Sequence, residues 1–592
     1  MISLKNKLLN LKKQVRRTWL FWGFWKVKIS NQEQLDRNLI YNLAPRKVPT
    51  GDQLKHLNKF LNPKEYLVVK ICLLLIFINL VYLGIVFIGK HLQYSPISGG
   101  EYTEGVIGYP KTINPLYATS RDVDDDLSRL IYSSLFKYDP HGNLINDLAD
   151  NLVIENGGKE YIIQIKTHVK WHNGENLTID DVLFTFNLIK NQEYRSPLRF
   201  SFTEVNIEKV DEQTVKFILS EPYAPFLELL TFGILPKSIW ENTNPAFFSL
   251  SDLNLKPIGS GPYKFKSLTK NKSGDLKEYH LVLNADYYGQ MPYIDNVNFK
   301  FFVNYPEAIR ALNSNQINGL SYLPLNDKQE LLAQNSLSFN ELALPQIIAI
   351  FFNREKNKTL ADKDVRVALS LALNKDEIIQ EIFQGAHKRL DGPILENSFV
   401  YNSDIKKYDY SPAEATATIS SKPLSLVLTV IDSGSNVAVA EKIKNYWEQV
   451  GAKIELKIVS GEQALEIIKR RNFEALLYGE SIGGDPDVYA FWHSTQISSK
   501  GLNLASYNNS EVDKLLAEAR VATDLNERIS KYQKIQEIIT SEIPAIFLYS
   551  PTYTYVQSKK IKGFSGTMII DPADRFSGIA DWYVKTKKKL TW

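Results

Sequence analysis

Eight histidines and one cysteine bound the chemistry open to this chain of 592 residues. No two histidines stand in an HExxH pair, the spacing that sets two zinc ligands on one helical face, and no G-x-S-x-G nucleophile elbow occurs. The lone Cys72 excludes an intrachain disulfide and a cysteine metal cluster. The acids Asp122, Asp124, Asp125 and Asp126 open a helical pattern, where the helix dipole and solvation account for them without calcium. In PIGSGPYKF (257–265), Gly259, Gly261 and Pro262 force a tight backbone course. A phosphate cradle is not expected there, because the third glycine is missing and a strand follows. Carboxylates are numerous enough to hide a glycosidase pair, but no spacing marks one. The expectation is that the chain is not an enzyme, with no cofactor and no metal.

The elements that carry these residues divide around one stretch. Residues 71–89, ICLLLIFINLVYLGIVFIG, run nineteen residues without a charge, with Asn79 as the one amide. As a helix they span roughly 28 Å, about the thickness of a bilayer hydrocarbon core. Residues 1–65 hold fourteen Lys or Arg against four acids, and the rest of the chain 56 against 62. The formal net charge of +4 therefore hides a basic head of +10 and an acidic body of −6. Lys55, Lys59, Lys64 and Lys70 on the N-terminal flank predict a cytoplasmic N-terminus with the body outside. A cleaved signal peptide fits poorly, since Lys90, His91, Leu92 and Gln93 follow where a small-residue site is needed. Val69, Lys70 and Ile71 likewise do not make Cys72 a lipidation site.

The head alternates Leu4, Leu8, Leu11 and Val15 with Lys and Arg, then runs into Trp19, Trp22 and Trp25. It reads either as an amphipathic helix on an anionic inner leaflet or as a solvated tail that enforces topology. No nucleic-acid-binding module surrounds its basic residues. Residues 91–100, with Ser, Pro and Gly, read as a linker. Beyond it, about 500 residues suffice for two or three lobes with their own cores. Residues 122–139 predict a helix with Leu127, Leu130, Ile131 and Leu135 inward. Asn156-Gly157-Gly158 predicts a hairpin turn with Tyr161, Ile163 and Ile165 on one face, and Thr178 with Asp181 predicts a helix start. That subdomain ends near Pro257.

A series of phrases in one order resembles the extracytoplasmic solute-binding proteins of ABC importers, family 5, the oligopeptide-, dipeptide- and nickel-binding type. Among them are YPKTINPLY (109–117), VKWHNGENLTIDDVLFTF (169–186), PIGSGPYKF (257–265), DKDVRVALSLALNKDEII (362–379) and GGDPDVYAFWHS (483–494). The resemblance implies an α/β, two-lobed periplasmic-binding-protein-like fold (type II, three subdomains), to which the apolar stretch adds residues 66–90 as a single transmembrane helix. The first lobe would combine 101–137, 256–345 and 541–592, with a second subdomain over 138–255 and a third over 346–540. A peptide or other small solute and an ABC permease are the implied partners, with the lipid bilayer at residues 66–90 and no nucleic acid. Glu480 falls nearest the family's acid for the ligand amino group, with Asp485, Asp487, Trp492, Asn353 and Tyr109 as further implied contacts. Each of those also has a structural reading: a capped turn, core packing or backbone satisfaction. A metal chelate or oligosaccharide cargo, and a sensor signalling through the head, stand as alternatives.

Overall fold

The computed structural model describes residues 61–590 apart from 119–120 and 499–500, together with Gln32, Asp36 and Lys55. The amphipathic segment and the Trp19, Trp22 and Trp25 patch lie outside the described residues. Two compact units divide the chain, Met1–Ser95 with Lys588–Trp592, and Pro96–Lys587.

In the first unit, the helix Pro63–His91 runs 29 residues. It starts earlier than the apolar run because Pro63 suits the first helical position and Glu65 accepts from the Asn62 N–H at 3.0 Å. Its stretch Pro63–Ile88 is long and apolar enough to cross a membrane, and the most apolar window of that stretch is unburied. Asn79 donates to the Leu75 carbonyl at 2.9 Å, so its amide is satisfied within the helix itself. Residues Leu92–Ile97 form a strand rather than an irregular linker. Pro96 biases the residue before it to extended backbone.

The second unit is built on three large sheets. A seven-stranded sheet has the order Leu337–Ala343, Thr552–Ser558, Gly319–Leu320, Glu101–Ile107, Asn296–Phe302, Leu276–Leu283 and Tyr263–Lys270. A four-stranded sheet, Ala149–Glu155, Glu160–Ile165, Thr214–Leu219 and Val205–Lys209, contributes to the same apolar core. In its hairpin, Asn156, Gly157 and Gly158 take φ of 49°, 62° and 89°, and Tyr161, Ile163 and Ile165 are buried as the alternation predicts. We call this pair of sheets the first lobe.

The second lobe is a six-stranded sheet, Lys388–Arg389, Ala545–Ser550, Gln346–Phe352, Ala475–Ser481, Ser425–Ile431 and Lys453–Val459. Its two faces carry separate cores that share no residue with the core of the first lobe. Ser425–Ile431 and Lys453–Val459 pair in parallel, joined by the helix Asn436–Gln449. The chain crosses between lobes at Leu344-Pro345 and again at Pro551, where the Ser550 hydroxyl donates to the Leu344 carbonyl at 3.2 Å. The second crossing lies beyond the expected 541, because Ala545–Ser550 pairs with Gln346–Phe352.

Two local outcomes set up the cleft. The expected helix over 122–139 stops at Ile131, because Tyr132 turns extended and Phe136–Tyr138 pairs with Leu144–Asn146. Gly259 and Gly261 lie against that helix end: a Cβ on Gly259 would sit 2.0 Å from the Ile131 carbonyl oxygen. Their role is close packing, and the His172 ring clasps them, accepting from the Gly259 N–H at 3.2 Å and lying 3.1 Å from the Gly261 carbonyl.

The acidic start of the same helix is not merely solvated. Asp126 is buried and takes two hydrogen bonds from Arg575, at 2.5 and 2.6 Å, while Arg575 Nε donates to Glu104 at 3.1 Å. The hydroxyls of Tyr102 and Tyr555 complete the cluster by donating to Glu104. Removing one partner of such a buried network leaves uncompensated charge, at a cost of about 3–5 kcal/mol. Arg575→Met should therefore lower the unfolding free energy of the body, measured by urea denaturation, by that amount, and a loss below about 1 kcal/mol would show the network to be dispensable.

Candidate functional site

Three contiguous cavities run through the body. The central one, of about 210 Å³, is lined by Asp125, Arg129, Tyr132, Glu228, Phe232 and Asp571. Ser201 and Leu229 also line a chamber of about 360 Å³ that reaches Tyr223, Tyr489 and Arg520. Arg129, Tyr132 and Ser134 open on the other side to a chamber of about 230 Å³ with Lys137, Tyr138 and Asp581. The chamber of about 360 Å³ falls within the range of small-solute sites, and the other two adjoin the same residues.

The helix Asp122–Ile131 supplies the floor. Asp125, Ser128 and Arg129 fall at i, i+3 and i+4, so they share the face that looks into the cavity while Asp126 points to Arg575. Arg129 Nη2 lies 3.3 Å from Asp574 Oδ1, 3.9 Å from Asp125 and 4.0 Å from Asp571. The wall is the 3-10 segment Ala224–Leu230, which carries Glu228. The second lobe roofs Tyr138 and Glu228 without lining the central chamber: a Cβ added to Gly484 would meet the Tyr138 hydroxyl at 2.9 Å and Glu228 at 3.0 Å.

That roof is held stiffly. Asp485 receives two hydrogen bonds from Arg528, at 2.8 and 2.5 Å, and Asp487 receives Arg520 Nε at 2.7 Å while accepting from the Tyr489 N–H at 3.1 Å. The Arg520 guanidinium lies over Tyr489 at 4.2 Å and over Tyr223, of the first lobe, at 5.1 Å. It thereby joins the lobes by a cation–π contact.

Electrostatically the cavity is an acidic site. Burial, followed by Asp571 and Asp574 nearby, pushes the Asp125 carboxyl up to about 7, against the opposing pull of Arg129. Burial and then Asp485 raise Glu228 to about 7, with the Asp485 N–H and the Tyr138 hydroxyl acting the other way. Burial also raises Asp485, with Arg528 opposing. The Tyr132 hydroxyl is buried without a hydrogen-bond partner.

The residues singled out from sequence do not gather in one place. Asp485 and Asp487 stand at the roof, each engaged by an arginine. Trp492 is 1% exposed, packed on Phe351, Tyr507 and Phe547. Asn353 is buried, donates to the Arg471 carbonyl and accepts from the Glu355 and Lys356 N–H groups. Glu480 lies in the strand Ala475–Ser481, buried, with Oε1 unpartnered and its carboxyl pushed up by burial against the pull of Arg471. Tyr109 is exposed, with the Lys111 ammonium 6.0 Å from its ring centroid.

Asp125, Arg129 and Glu228 were not singled out for binding. The i, i+4 spacing of Asp125 and Arg129 on an amphipathic helix was the available signal. Nothing local marks Glu228.

Comparison with known proteins adds a lineage to this geometry. The family described as bacterial extracellular solute-binding proteins, family 5 Middle, matches residues 143–501. The chain is 30% identical over 496 residues to the oligopeptide-binding protein AppA of Bacillus subtilis, covering 79% of this chain and 89% of that protein. It is 26% identical over 498 residues to the dipeptide-binding protein of Escherichia coli, covering 78% and 91%. Among solved structures, AppA from Bacillus subtilis in complex with a nonapeptide matches with a TM-score of 0.63 and 28% identity, covering 83% of this chain and all of that one.

The raised carboxyls have a stability consequence. A folded-state value near 7 for Asp125 and Glu228 means the folded chain holds protons that the unfolded chain releases, so stability falls as pH rises from about 4 to 7 and stays lower above. Asp125→Asn and Glu228→Gln should each gain about 1–2 kcal/mol over the parent at pH 8 and little at pH 4, by chemical denaturation. Equal effects at both pH values would contradict the assignment.

Proposed function

This chain belongs to the bacterial extracellular solute-binding proteins of family 5, and we propose that it captures peptides outside the cell and delivers them to an ABC permease while tethered to the membrane. The observation that carries the reading is a chamber lined by Tyr223 and Leu229 of one lobe and by Tyr489 and Arg520 of the other, the two lobes having separate cores and being joined by two short crossings. Lobes that share no core can rotate about such crossings, and a ligand that touches both favours the closed arrangement. Closure turns occupancy into a shape that a transporter can recognise. Peptide is the preferred cargo because the oligopeptide-binding and dipeptide-binding relatives match over most of their length.

Within that reading, Asp485 and Asp487 form the roof of the peptide cleft with Arg528 and Arg520. Glu480, Trp492 and Asn353 support it from the core, and Tyr109 stands outside it. The helix Pro63–His91 is the tether, with its lysine-rich N-terminal flank in the cytoplasm and the solute-binding body outside. A tether keeps the receptor at high effective concentration beside its permease.

Two measurements test this. Native mass spectrometry of the detergent-solubilised chain, purified from peptide-rich medium, should show bound peptide masses, and peptide mixtures should raise its melting temperature. Neither signal would remove peptide as the cargo. Protease added outside intact cells should destroy the body and spare the first ~90 residues, and protection of the body would reverse the proposed topology.

A further inference from the structure

The apolar helix does not end in an irregular connection. Its last residue, His91, is followed directly by the strand Leu92–Ile97, which pairs with the strand Lys585–Leu590 in a two-stranded sheet of its own. Leu92 comes three residues after Gly89, the end of the apolar run, and so about 5 Å further along the axis. The polar layer of a bilayer is roughly 5–8 Å deep on each side of the hydrocarbon core. With residues 71–89 in that core, the sheet starts within the headgroups.

The charge of this sheet is all of one sign. Its strands read LQYSPI and KTKKKL, four lysines and no acid, in a part of the chain that from residue 66 onward is acidic overall. Lys585, Lys587, Lys588 and Lys589 are exposed, and none of them makes an ion pair among the described residues. A two-stranded ribbon has no core and is marginal in water, so repulsion among these lysines calls for a counter-charge from outside. An independent observation is Tyr94. It is 62% exposed, and the Lys588 ammonium lies 5.7 Å from its ring centroid. Tyrosine settles where hydrocarbon meets headgroups, with its ring in the boundary and its hydroxyl in the polar layer.

Resting on the membrane-tether reading above, we propose that this ribbon seats on the outer leaflet of the bilayer that the helix crosses, with Lys587, Lys588 and Lys589 on the phosphates of anionic phospholipids and Tyr94 at the headgroup boundary. An ammonium offers three donors to phosphate oxygens, and the tyrosine hydroxyl donates to the same class of acceptor. Each lysine near an anionic surface is worth about fivefold in partitioning, within a Debye length of about 8–10 Å at moderate salt. A ribbon that starts at the helix exit begins inside that range. The chain is then held to the membrane at two places in its sequence, the helix and the strand Lys585–Leu590. Lysine on an edge strand also discourages pairing with another chain, but that role is indifferent to lipid charge.

The test is amine acetylation of the full chain in nanodiscs by the uncharged reagent N-hydroxysuccinimidyl acetate, read residue by residue by mass spectrometry. In discs of about 30% phosphatidylglycerol in phosphatidylcholine, Lys587, Lys588 and Lys589 should label about threefold or more slowly than in phosphatidylcholine alone, and about 0.5 M NaCl should abolish the difference. Exposed Lys272, in the turn between Tyr263–Lys270 and Leu276–Leu283, should label equally in both. Native mass spectrometry of the Lys587→Gln, Lys588→Gln, Lys589→Gln variant released from the mixed discs should show about one to three fewer retained phosphatidylglycerol molecules than the parent. Equal labelling in both lipids, or equal lipid retention by the variant, overturns the proposal and leaves the tether standing. A chain that elutes apart from the nanodiscs overturns both.

Discussion

The Arg575 guanidinium is the group on which the rest of the body depends. It is fully buried, and the desolvation this entails is offset only because Glu104, Asp126 and the Pro572 carbonyl all accept from it. These partners lie on separate segments: the strand Glu101–Ile107, the helix Asp122–Ile131 and the C-terminal turn. The consequence reaches the cleft directly. Asp126 faces Arg575, so the helix is locked at the rotation that turns Asp125 and Arg129 into the cavity, and neighbouring Asp574 pairs with Arg129. One buried cation fixes both the assembly of a discontinuous lobe and the floor of the central chamber.

The same economy appears where the lobes meet. Two crossings, at Pro345 and Pro551, are all that joins the sheets covalently, and they are stitched together by Ser550 and Leu344. A rotation about these crossings would move Gly484 and Asp485 toward or away from Tyr138 and Glu228 without disturbing these cores. Stiffness in the roof makes this useful. With Asp485 clamped by Arg528 and Asp487 by Arg520, the segment moves as part of its lobe rather than as a loose loop. The contact of Arg520 with Tyr223 is then available only when the lobes approach.

How much of this could be read beforehand depended on sequence distance. The membrane-length helix and the Asn156-Gly157-Gly158 turn rest on local rules and are legible in their own stretches, whereas Gly259 and Gly261, which read as a tight backbone course, pack against the distant Ile131. The partnership of Asp126 with Arg575 spans 449 positions, and no local pattern announces it. From sequence the acidic run therefore reads as a solvated helix start, although Asp124 and Asp126 are buried. Glu480 shows a different limit. In the strand Ala475–Ser481 it shares a face with Leu476 and Tyr478, so strand alternation alone turns it toward the core. Glu228 sits in a 3-10 turn with no repeating pattern, and only the folded chain shows that it faces Asp485.

Closure around a ligand is the central claim, and hydrogen exchange of the detergent-solubilised chain tests it most directly, with and without a peptide mixture. The account predicts added protection on both sides of the cleft, in Ala224–Leu230 of the first lobe and in residues 483–489 of the second, with the three sheets unchanged. Unchanged exchange in both segments with peptide demonstrably bound would contradict it.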